Sequence, residues 1–394
     1  MASKRPHVYL DHNASAPLRA AARDRMVDLL DDAGNASSVH SDGRRARGQI
    51  EEARDQVARL CGARTRAVTF TSGATEANAT ILTPSWQDQG APVYLDRLLR
   101  SSTEHPSVVS GGRFSVACQE VLPVDEQGLL KLDVLETMLA SDELTLVSVM
   151  AANNETGVIQ PIEEIGRIVK AAGAFFHVDA VQAAGRMPID IQSWQADAIS
   201  LSAHKFGGPQ GMGAIVVGST ARVPGALIGG GGQENWRRAG TENVAGICGF
   251  GVAAEEAAVE ADPASQAGAS RLLALRERLE EGLRRASPAT VIFGMDAPRL
   301  CNTTCFAVPG VAAETALIAF DLESISVSSG SACSSGKVSV SHVLTAMGVD
   351  EALARCALRI SLGWNTKEAD IDRFLDVWPA IVDRLNPDAR TQAA

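Results

Sequence analysis

The sequence lacks the features typical of nucleic-acid-binding, membrane-spanning and secreted proteins. Basic residues are not in excess, since 36 Lys and Arg against 47 Asp and Glu give a formal net charge of −11. This argues against nucleic acid as the main partner, because phosphate binding needs a basic surface. No apolar run is long enough to cross a bilayer, and no apolar signal segment follows the polar start Met1–Pro6. We therefore expect a cytoplasmic protein with no nucleic-acid or membrane partner.

The cysteines form no evident framework. Seven cysteines are an odd number, and they are scattered along the chain, which is typical of a reducing cytosol and not of a disulfide-stabilised secreted domain. Cys301 and Cys305 lie close in sequence, but no Cys or His cluster surrounds them, so we expect no metal site. No internal repeat or low-complexity tract interrupts the 394 residues. A chain of this length can bury a large core, and we expect two domains of unequal size.

Short apolar runs alternate with helical patterns between about residues 55 and 250. The segment Pro161–Val169 has apolar residues at helical spacing. Strands separated by helices in this way predict an α/β fold with a mostly parallel sheet covered on both faces. The predicted strands are Ala67–Phe70, Leu144–Met150, Phe175–Val178, Ala198–Leu201 and Gly213–Val217.

The remainder of the chain has a different pattern. A helix is predicted from Ala253 to Arg285 with a break near Asp262 and Pro263, and strands then mix with helices. We predict a large domain over residues 15–255 and a smaller α+β domain formed by residues 1–14 and 256–394. Its predicted strands and helices are Asn302–Val308, Ala312–Asp321, Leu358–Ser361 and Lys367–Asn386.

Two polar residues follow two of the predicted strands. Asp179 comes directly after Phe175–Val178, and the carboxyl ends of strands are where open α/β sheets bind ligands. An acid there can keep the pyridine nitrogen of pyridoxal phosphate (PLP) protonated, although an N-cap of the next helix is the alternative. Lys205 ends a second run before a glycine-rich segment and can bind an aldehyde cofactor covalently. Ser202 and His204, beside it, are candidate phosphate ligands.

A second anion site is predicted after the strand that ends at Phe70. The small residues of Thr71–Asn78 open a helix there, and free N–H groups at a helix N-terminus bind phosphate. His105, which precedes a proline, is a candidate for stacking on a ring, although a single histidine before a proline is more often structural.

Cys333 lies in the segment Ser328–Gly336, which consists almost entirely of Ser, Gly and Ala. A buried structural thiol would have bulky apolar neighbours, and Cys333 has none in sequence. Small residues permit large backbone excursions. We interpret Cys333 as a nucleophilic thiol on a mobile loop over residues 328–340, and the chain as an enzyme that moves sulfur.

These segments, taken in order, resemble the PLP-dependent enzymes of the class-V aminotransferase family, with the type I fold of aspartate aminotransferase. More narrowly, they resemble the class I cysteine desulfurases of the NifS and IscS type. The resemblance covers nearly the whole chain. Its motifs are Tyr9–Ala14, Gly34–His40, Thr71–Glu76, Asn153–Gly157, His177–Asp179, Ser202–Lys205, Arg238–Asn243, Ser328–Cys333 and Leu358–Gly363.

The resemblance implies a sulfurtransferase that takes sulfur from L-cysteine, leaves L-alanine and holds the sulfur as a persulfide on Cys333. An acceptor or iron–sulfur scaffold protein would then receive the sulfur, for cluster assembly or thiolation. The resemblance also implies a homodimer. The implied catalytic residues are Cys333, Lys205 and His105; the implied cofactor-binding residues are Lys205, Ala74, Thr75, His105, Asn154, Asp179, Gln182, Ser202, His204 and Thr241; the implied substrate-binding residues are Asn13, Ala14, Asn154 and Arg359.

Within these roles, Gln182 would contact the phenolic oxygen of PLP. Thr241 would reach the phosphate bound by the partner subunit. Arg359 would bind the substrate carboxylate.

The chain departs from the family pattern at three places. Trp364 replaces a second arginine, Asn235 and Trp236 replace an Arg-Gly pair, and Ser15 and Ala16 stand where two threonines are common. We expect these changes near the mouth of the site and the dimer seam. The alternatives are a selenocysteine lyase, another PLP-dependent lyase or aminotransferase of this fold, or a docking or sulfur-carrier subunit.

Overall fold

The computed structural model describes residues 6–32, 34–262, 265, 268–329 and 340–386. Within these residues the chain forms sixteen strands and twelve α-helices. The strands are β1 (Val8–Tyr9), β2 (Val68–Thr71), β3 (Ser85–Asp88), β4 (Ala91–Tyr94), β5 (Arg97–Ser101), β6 (Gln119–Leu122), β7 (Thr145–Met150), β8 (Phe175–Asp179), β9 (Ala198–Ser202), β10 (Gly213–Val217), β11 (Arg222–Pro224), β12 (Val291–Ile292), β13 (Thr303–Ala307), β14 (Ile325–Ser326), β15 (Ser328–Ser329) and β16 (Leu358–Ser361). The helices are α1 (Ala20–Leu30), α2 (Ser41–Leu60), α3 (Ala74–Ile81), α4 (Pro106–Val109), α5 (Leu132–Leu139), α6 (Ile162–Ala171), α7 (Val244–Ala261), α8 (Ala269–Ala286), α9 (Ala313–Leu322), α10 (His342–Ala346), α11 (Glu351–Ala354) and α12 (Glu368–Leu385).

A seven-stranded sheet forms the centre of the fold, in the order β2-β10-β9-β8-β7-β5-β6. Strands β5 to β9 pair in parallel, whereas β10 runs antiparallel to both β2 and β9. Every residue of β7, β8, β9 and β10 is buried, which explains why these strands are continuous apolar runs in the sequence. The predicted mostly parallel α/β sheet is confirmed.

Helices cover this sheet and complete its core. α3 packs on β9 and β10, α6 packs on β8, and α7 packs against α1 and α2. Ile162, Ile165 and Val169 recur at helical spacing on the buried side of α6. Their side chains belong to the large apolar core around the central sheet.

A second apolar core surrounds the antiparallel sheet β12-β13-β16-β15. There α12 packs against α8 and α9, and the ring of Phe320 stacks on that of Phe374 with centroids 4.8 Å apart. α7 continues through residues 255 and 256, where we placed a domain boundary, and contributes Ala257 to the first core. The division at residue 255 stays a prediction.

Two features of the fold differ from the sequence-based expectation. The helix predicted from Ala253 begins at Val244, because Asn243 caps it by accepting a hydrogen bond of 3.0 Å from the N–H of Gly246. The antiparallel sheet β11-β3-β4 was not predicted, since its short strands carry polar, partly exposed residues. Across the described ranges, no helix is both long and apolar enough to pass through a membrane.

Candidate active site

One cavity of about 710 Å³ collects most of the predicted site residues. Its size is that of a pocket for a small molecule or cofactor. The predicted residues that line it are Asn13, Ala14, Ala74, Thr75, His105, Asn154, Asp179, Gln182, Ser202, His204, Lys205 and Arg359.

Part of this lining comes from the edge of the central sheet, and we call it the sheet-edge wall: Ala74, Thr75, Asp179, Ser202, His204 and Lys205. Asp179 ends β8 and Ser202 ends the neighbouring parallel strand β9. Because the carboxyl ends of parallel strands meet at one edge, the topology brings these side chains together. The buried Asp179 accepts hydrogen bonds from the Val181 N–H at 3.0 Å and from Asn78 Nδ2 at 2.9 Å.

Lys205 lies at the end of a short 3₁₀ turn that follows β9 directly. Its Nζ donates to the carbonyl oxygens of Asn13 at 2.6 Å and Ala14 at 3.0 Å. Gly207 has a φ of +87°, and a Cβ there would lie 2.7 Å from Arg19 Cγ, so the turn after Lys205 requires glycine. The fold thus presents a primary amine at the cavity.

An anion-binding surface lies beside this amine. α3 begins at Ala74, so the first N–H groups of the helix at Ala74 and Thr75 have no partner within it. The hydroxyl of Ser202 and the ring of His204 also line the cavity. Burial lowers the pKa of His204 to about 4, and the positive charges of Lys205 and Arg186 act in the same direction. His204 is therefore a neutral hydrogen-bonding group in this lining.

The orientation of His105 follows from its hydrogen bonds. The backbone N–H of Ser107 donates to Nδ1 at 3.2 Å, and the Ser107 hydroxyl lies 2.8 Å from the same nitrogen. Nδ1 is therefore the acceptor nitrogen, and the proton of the neutral ring lies on Nε2. Burial is the main cause that lowers the pKa of His105, and the charges of Lys205 and His342 act in the same direction. Asp179 acts in the opposite direction.

Asn78 and Ser107, to which the sequence analysis assigned no role, connect Asp179 with His105. Asn78 Nδ2 donates to Ser107 Oγ as well as to Asp179, both at 2.9 Å. Glu104 is buried, and desolvation together with the charge of Asp179 raises its pKa well above the usual value. Burial and the proximity of Asp179 thus favour the neutral form of the Glu104 carboxyl group.

The rest of the lining comes from distant parts of the chain, and we call it the composite wall: Asn13, Ala14, Asn154, Ser328, Ser329 and Arg359. Arg359 donates from Nη1 to the Asn154 carbonyl at 3.1 Å and from Nη2 to Asp11 Oδ1 at 2.7 Å. Asn13 Nδ2 donates to the same Asn154 carbonyl at 3.1 Å. Asp11 was not predicted as a site residue, although it lies in the motif that contains Asn13.

Among the predicted residues that the structure describes, Thr241 is not part of this cavity lining. Thr241 is exposed and lines a separate cleft of about 220 Å³ with Arg238 and Gly240. Its proposed contact is with a partner subunit and stays a prediction. Cys333 lies outside the described residues, although Ser328 and Ser329, the first two residues of its segment, line the cavity.

The departures from the family pattern have different locations. The Trp364 ring packs on the guanidinium of Arg19, 5.4 Å from its centroid, and its Nε1 donates to the Pro17 carbonyl at 3.1 Å. Trp364 is not among the residues that line the cavity, and its expected place near the mouth or the dimer seam stays a prediction. Trp236 is 74% exposed, in a turn where it has a φ of +66°. Ser15 does line the cavity.

The comparisons with known proteins agree with this architecture. The family model described as Aminotransferase class-V matches residues 8–374. The chain belongs to the class-V aminotransferase family. Two curated relatives are "Cysteine desulfurase IscS" of Dictyoglomus turgidum, 38% identical over 96% of this chain and 95% of that protein, and "Cysteine desulfurase" of Sinorhizobium fredii, 42% identical over 96% and 97%. The predicted resemblance is confirmed.

A solved structure shows a similar fold over nearly the whole length of this chain. The NifS-like protein from Rickettsia africae superposes with a TM-score of 0.86 at 37% identity, over 96% of this chain and 100% of that one. The predicted type I fold of PLP enzymes is therefore confirmed.

The donor set of the cavity fits PLP. The sheet-edge wall offers an amine for the aldehyde, a carboxylate for the pyridine nitrogen and hydrogen-bond donors for the phosphate. In addition, Arg359 Nε and Ser329 Oγ are buried and have no hydrogen-bond partner among the described residues. Both atoms belong to residues that line the cavity, where a bound polar ligand would supply the missing partners.

Proposed function

We propose that this protein is a PLP-dependent cysteine desulfurase. The observation that carries the proposal is the joint lining of one cavity by Lys205, Asp179 and Arg359, bordered by the two serines that lead into the segment of Cys333. The names of the curated relatives and the cavity together support the substrate L-cysteine.

The sheet-edge wall would hold the cofactor. Lys205 would bind it covalently, Asp179 would hold the proton on its pyridine nitrogen, and the start of α3 with Ser202 and His204 would bind its phosphate. Bound there, PLP supplies an electron sink for negative charge that develops on the substrate α-carbon.

The composite wall would hold the amino acid. Arg359 would receive the substrate carboxylate, since its charge is buried and its Nε has no acceptor among the described residues. Lys205 Nζ would take the α-proton as a general base. In its neutral form the His105 ring carries its proton on Nε2, and this nitrogen would exchange protons with the substrate.

Cys333 would accept the sulfur. Its thiolate would attack the sulfur of bound L-cysteine, so that an S–S bond forms while the bond between sulfur and the substrate β-carbon breaks. The electron pair of the broken bond stays with the carbon, which is protonated to give L-alanine. A second protein would then take the outer sulfur from the Cys333 persulfide, and both the acceptor and the cytoplasmic location are parts of this proposal.

The deciding experiment compares wild type with Cys333→Ala. Alanine and sulfide are measured from L-cysteine with a reductant, on protein whose PLP absorbance has been recorded, and the persulfide is trapped by alkylation and located by mass spectrometry. We expect the variant to keep its PLP absorbance and to lose alanine production and the trapped persulfide. Cys118→Ala, which removes a half-buried thiol elsewhere, is the matched control.

Three outcomes would contradict the proposal. A wild-type rate of alanine production in Cys333→Ala would show that Cys333 is not the nucleophile. A much higher rate with selenocysteine than with cysteine would indicate a selenocysteine lyase. Wild-type protein that acquires no absorbance of a PLP–lysine adduct would indicate a docking or carrier protein.

A further inference from the structure

Arg186 is a buried cation without a carboxylate partner among the described residues. Its side chain is only 7% exposed, and none of the ion pairs of the described chain includes it. Burial lowers its pKa to about 10. An unpaired buried charge is costly, and the other buried arginines near the cavity, Arg19 and Arg359, each pair with an acid.

The guanidinium instead donates to neutral groups around the cavity. Nη1 donates to Gln182 Oε1 at 2.5 Å and to the Gln182 carbonyl at 2.9 Å, and Nη2 donates to the Lys205 carbonyl at 3.1 Å. Arg186 thus contacts both a residue predicted to bind the cofactor oxygen and the backbone of the residue predicted to bind the cofactor covalently.

The contact with Gln182 sets the orientation of its amide. A guanidinium carries donors only, so the amide oxygen must face Arg186 and the NH₂ group must face away. Nε2 accordingly donates to the Asn13 carbonyl at 3.2 Å. Since Gln182 lines the cavity, the second hydrogen of this NH₂ group is available to an acceptor oxygen on the ligand.

The same contacts close a ring of hydrogen bonds. Lys205 Nζ donates to the Asn13 carbonyl that also accepts from Gln182, while the Lys205 carbonyl accepts from Arg186. The four residues therefore hold one another, and the amide and the amine are fixed relative to each other. Cys301 also contacts this group, since its Sγ lies 3.7 Å from the Arg186 carbonyl oxygen.

The charge of Arg186 also reaches the cavity lining. Burial and the charge of Lys205 have the larger effects in lowering the pKa of His204, and the charge of Arg186 lowers it further. Arg186 also contributes to the lowered pKa of His12. The other charged or titratable groups that act on Arg186 are Cys301 and Arg359. A positive charge here favours a ligand oxygen in its ionised form and disfavours a further cation.

We propose that Arg186 is a positioning residue that directs the Gln182 amide at the phenolic oxygen of PLP and favours the ionised form of that oxygen. The inference rests on the proposed function and adds a residue to its cofactor site. It follows that Arg186 tunes the proton affinity of the adduct between PLP and Lys205.

The test is a pH titration of the visible absorbance of PLP bound to the full-length protein. In Arg186→Met both the charge and the donors are lost, and we expect the pH midpoint to rise by about one unit or more. Arg186→Lys retains the charge and should recover most of this shift. Arg97→Met removes another buried arginine, which is 8% exposed and does not line the cavity, and should leave the midpoint unchanged.

A midpoint in Arg186→Met equal to that of wild type would overturn the inference. If this variant does not fold or take up PLP, Arg186→Gln is titrated instead, since its amide can still donate to Gln182 without the charge. The same rise is expected, and an unchanged midpoint again overturns the inference. Wild-type protein without PLP absorbance or cysteine desulfuration would refute the proposed function instead, so the two failures are distinguishable.

Discussion

The two walls of the cavity reach their geometry by different routes. The sheet-edge wall takes Asp179, Ser202 and Lys205 from the ends of two neighbouring strands and the turn that follows. The composite wall joins Asn13, Asn154 and Arg359, which are far apart in sequence and meet through the Asn154 carbonyl. The first wall therefore depends on the register of one sheet, and the second on the packing of the N-terminal segment against β16. Substitutions that affect one wall should leave the other wall's ligand in place.

The largest effect is expected in the sheet-edge wall. Lys205→Ala removes the amine proposed both to bind PLP and to act as base, so alanine production should fall by roughly 10³-fold or more. The visible absorbance of the lysine adduct should disappear, as a spectrum of the purified variant would show. Lys170→Ala, at an exposed lysine, is the control. A loss of less than tenfold would contradict the assignment.

A smaller effect is expected in the composite wall. Arg359→Lys keeps a charge but cannot contact Asp11, the Asn154 carbonyl and a carboxylate in the same geometry. We expect kcat/KM for L-cysteine to fall by roughly 10²- to 10³-fold, while the PLP absorbance persists. Steady-state kinetics beside Arg355→Lys, at an exposed arginine, would measure this. Loss of PLP binding in Arg359→Lys would show that the two walls are not independent.

Glu155 lies at the junction of the composite wall with α10. Glu155 follows Asn154 and accepts a hydrogen bond of 2.6 Å from Ser341, the N-cap of α10. Burial raises the pKa of Glu155 from 4.5 to about 7, against the opposing effects of Ser341 and Arg359. The folded state therefore binds the proton more tightly than the unfolded state. This contribution to stability is complete below about pH 4.5 and is lost as the pH rises through about 7.

Urea unfolding at several pH values would measure this loss. Between about pH 5.5 and about pH 8, the free energy of unfolding should fall by on the order of 2 kcal/mol more in wild type than in Glu155→Gln. Glu163→Gln, at an exposed acid, should retain the wild-type slope. Parallel slopes in wild type and Glu155→Gln would mean that Glu155 does not titrate in this range.

The smallest effect is expected outside both walls. Trp364→Phe removes the hydrogen bond to the Pro17 carbonyl but keeps an aromatic ring next to Arg19. We expect a loss of about 1 kcal/mol in the free energy of unfolding and an unchanged kcat. Trp236→Phe, at an exposed ring, should change neither quantity. A clear fall in kcat for Trp364→Phe would place this residue at the site after all.

Sequence patterns predicted most of the central sheet and the position of Asp179 and Lys205 at its edge. They succeeded because a buried parallel strand needs a continuous apolar run, and the polar residue that ends such a run is conspicuous. The sheet β11-β3-β4 was missed, since partly exposed strands without strong alternation leave no such signal.

The residues that support the site were harder to predict. Asn78 and Asp11 lie within or next to recognised motifs and Arg186 lies outside them, but the roles of all three depend on contacts across the fold. Nothing in the sequence indicates that Asn78 connects Asp179 with Ser107, or that Arg186 reaches the Lys205 carbonyl. Motif resemblance supplied the role of Arg359, which composition and periodicity could not.

The chain's local patterns therefore specify the type of fold, the family and the residues that carry the proposed chemistry. Apolar periodicity and short motifs act over a few residues, so they can be recognised in a single sequence. The pairing of Arg359 with Asp11 and the orientation of the Gln182 amide depend on long-range packing. So does the burial of Arg186 with no acid partner among the described residues. Hydrogen-bond partners and burial arise from contacts between distant segments, and these exist only once the sheets and helices have come together.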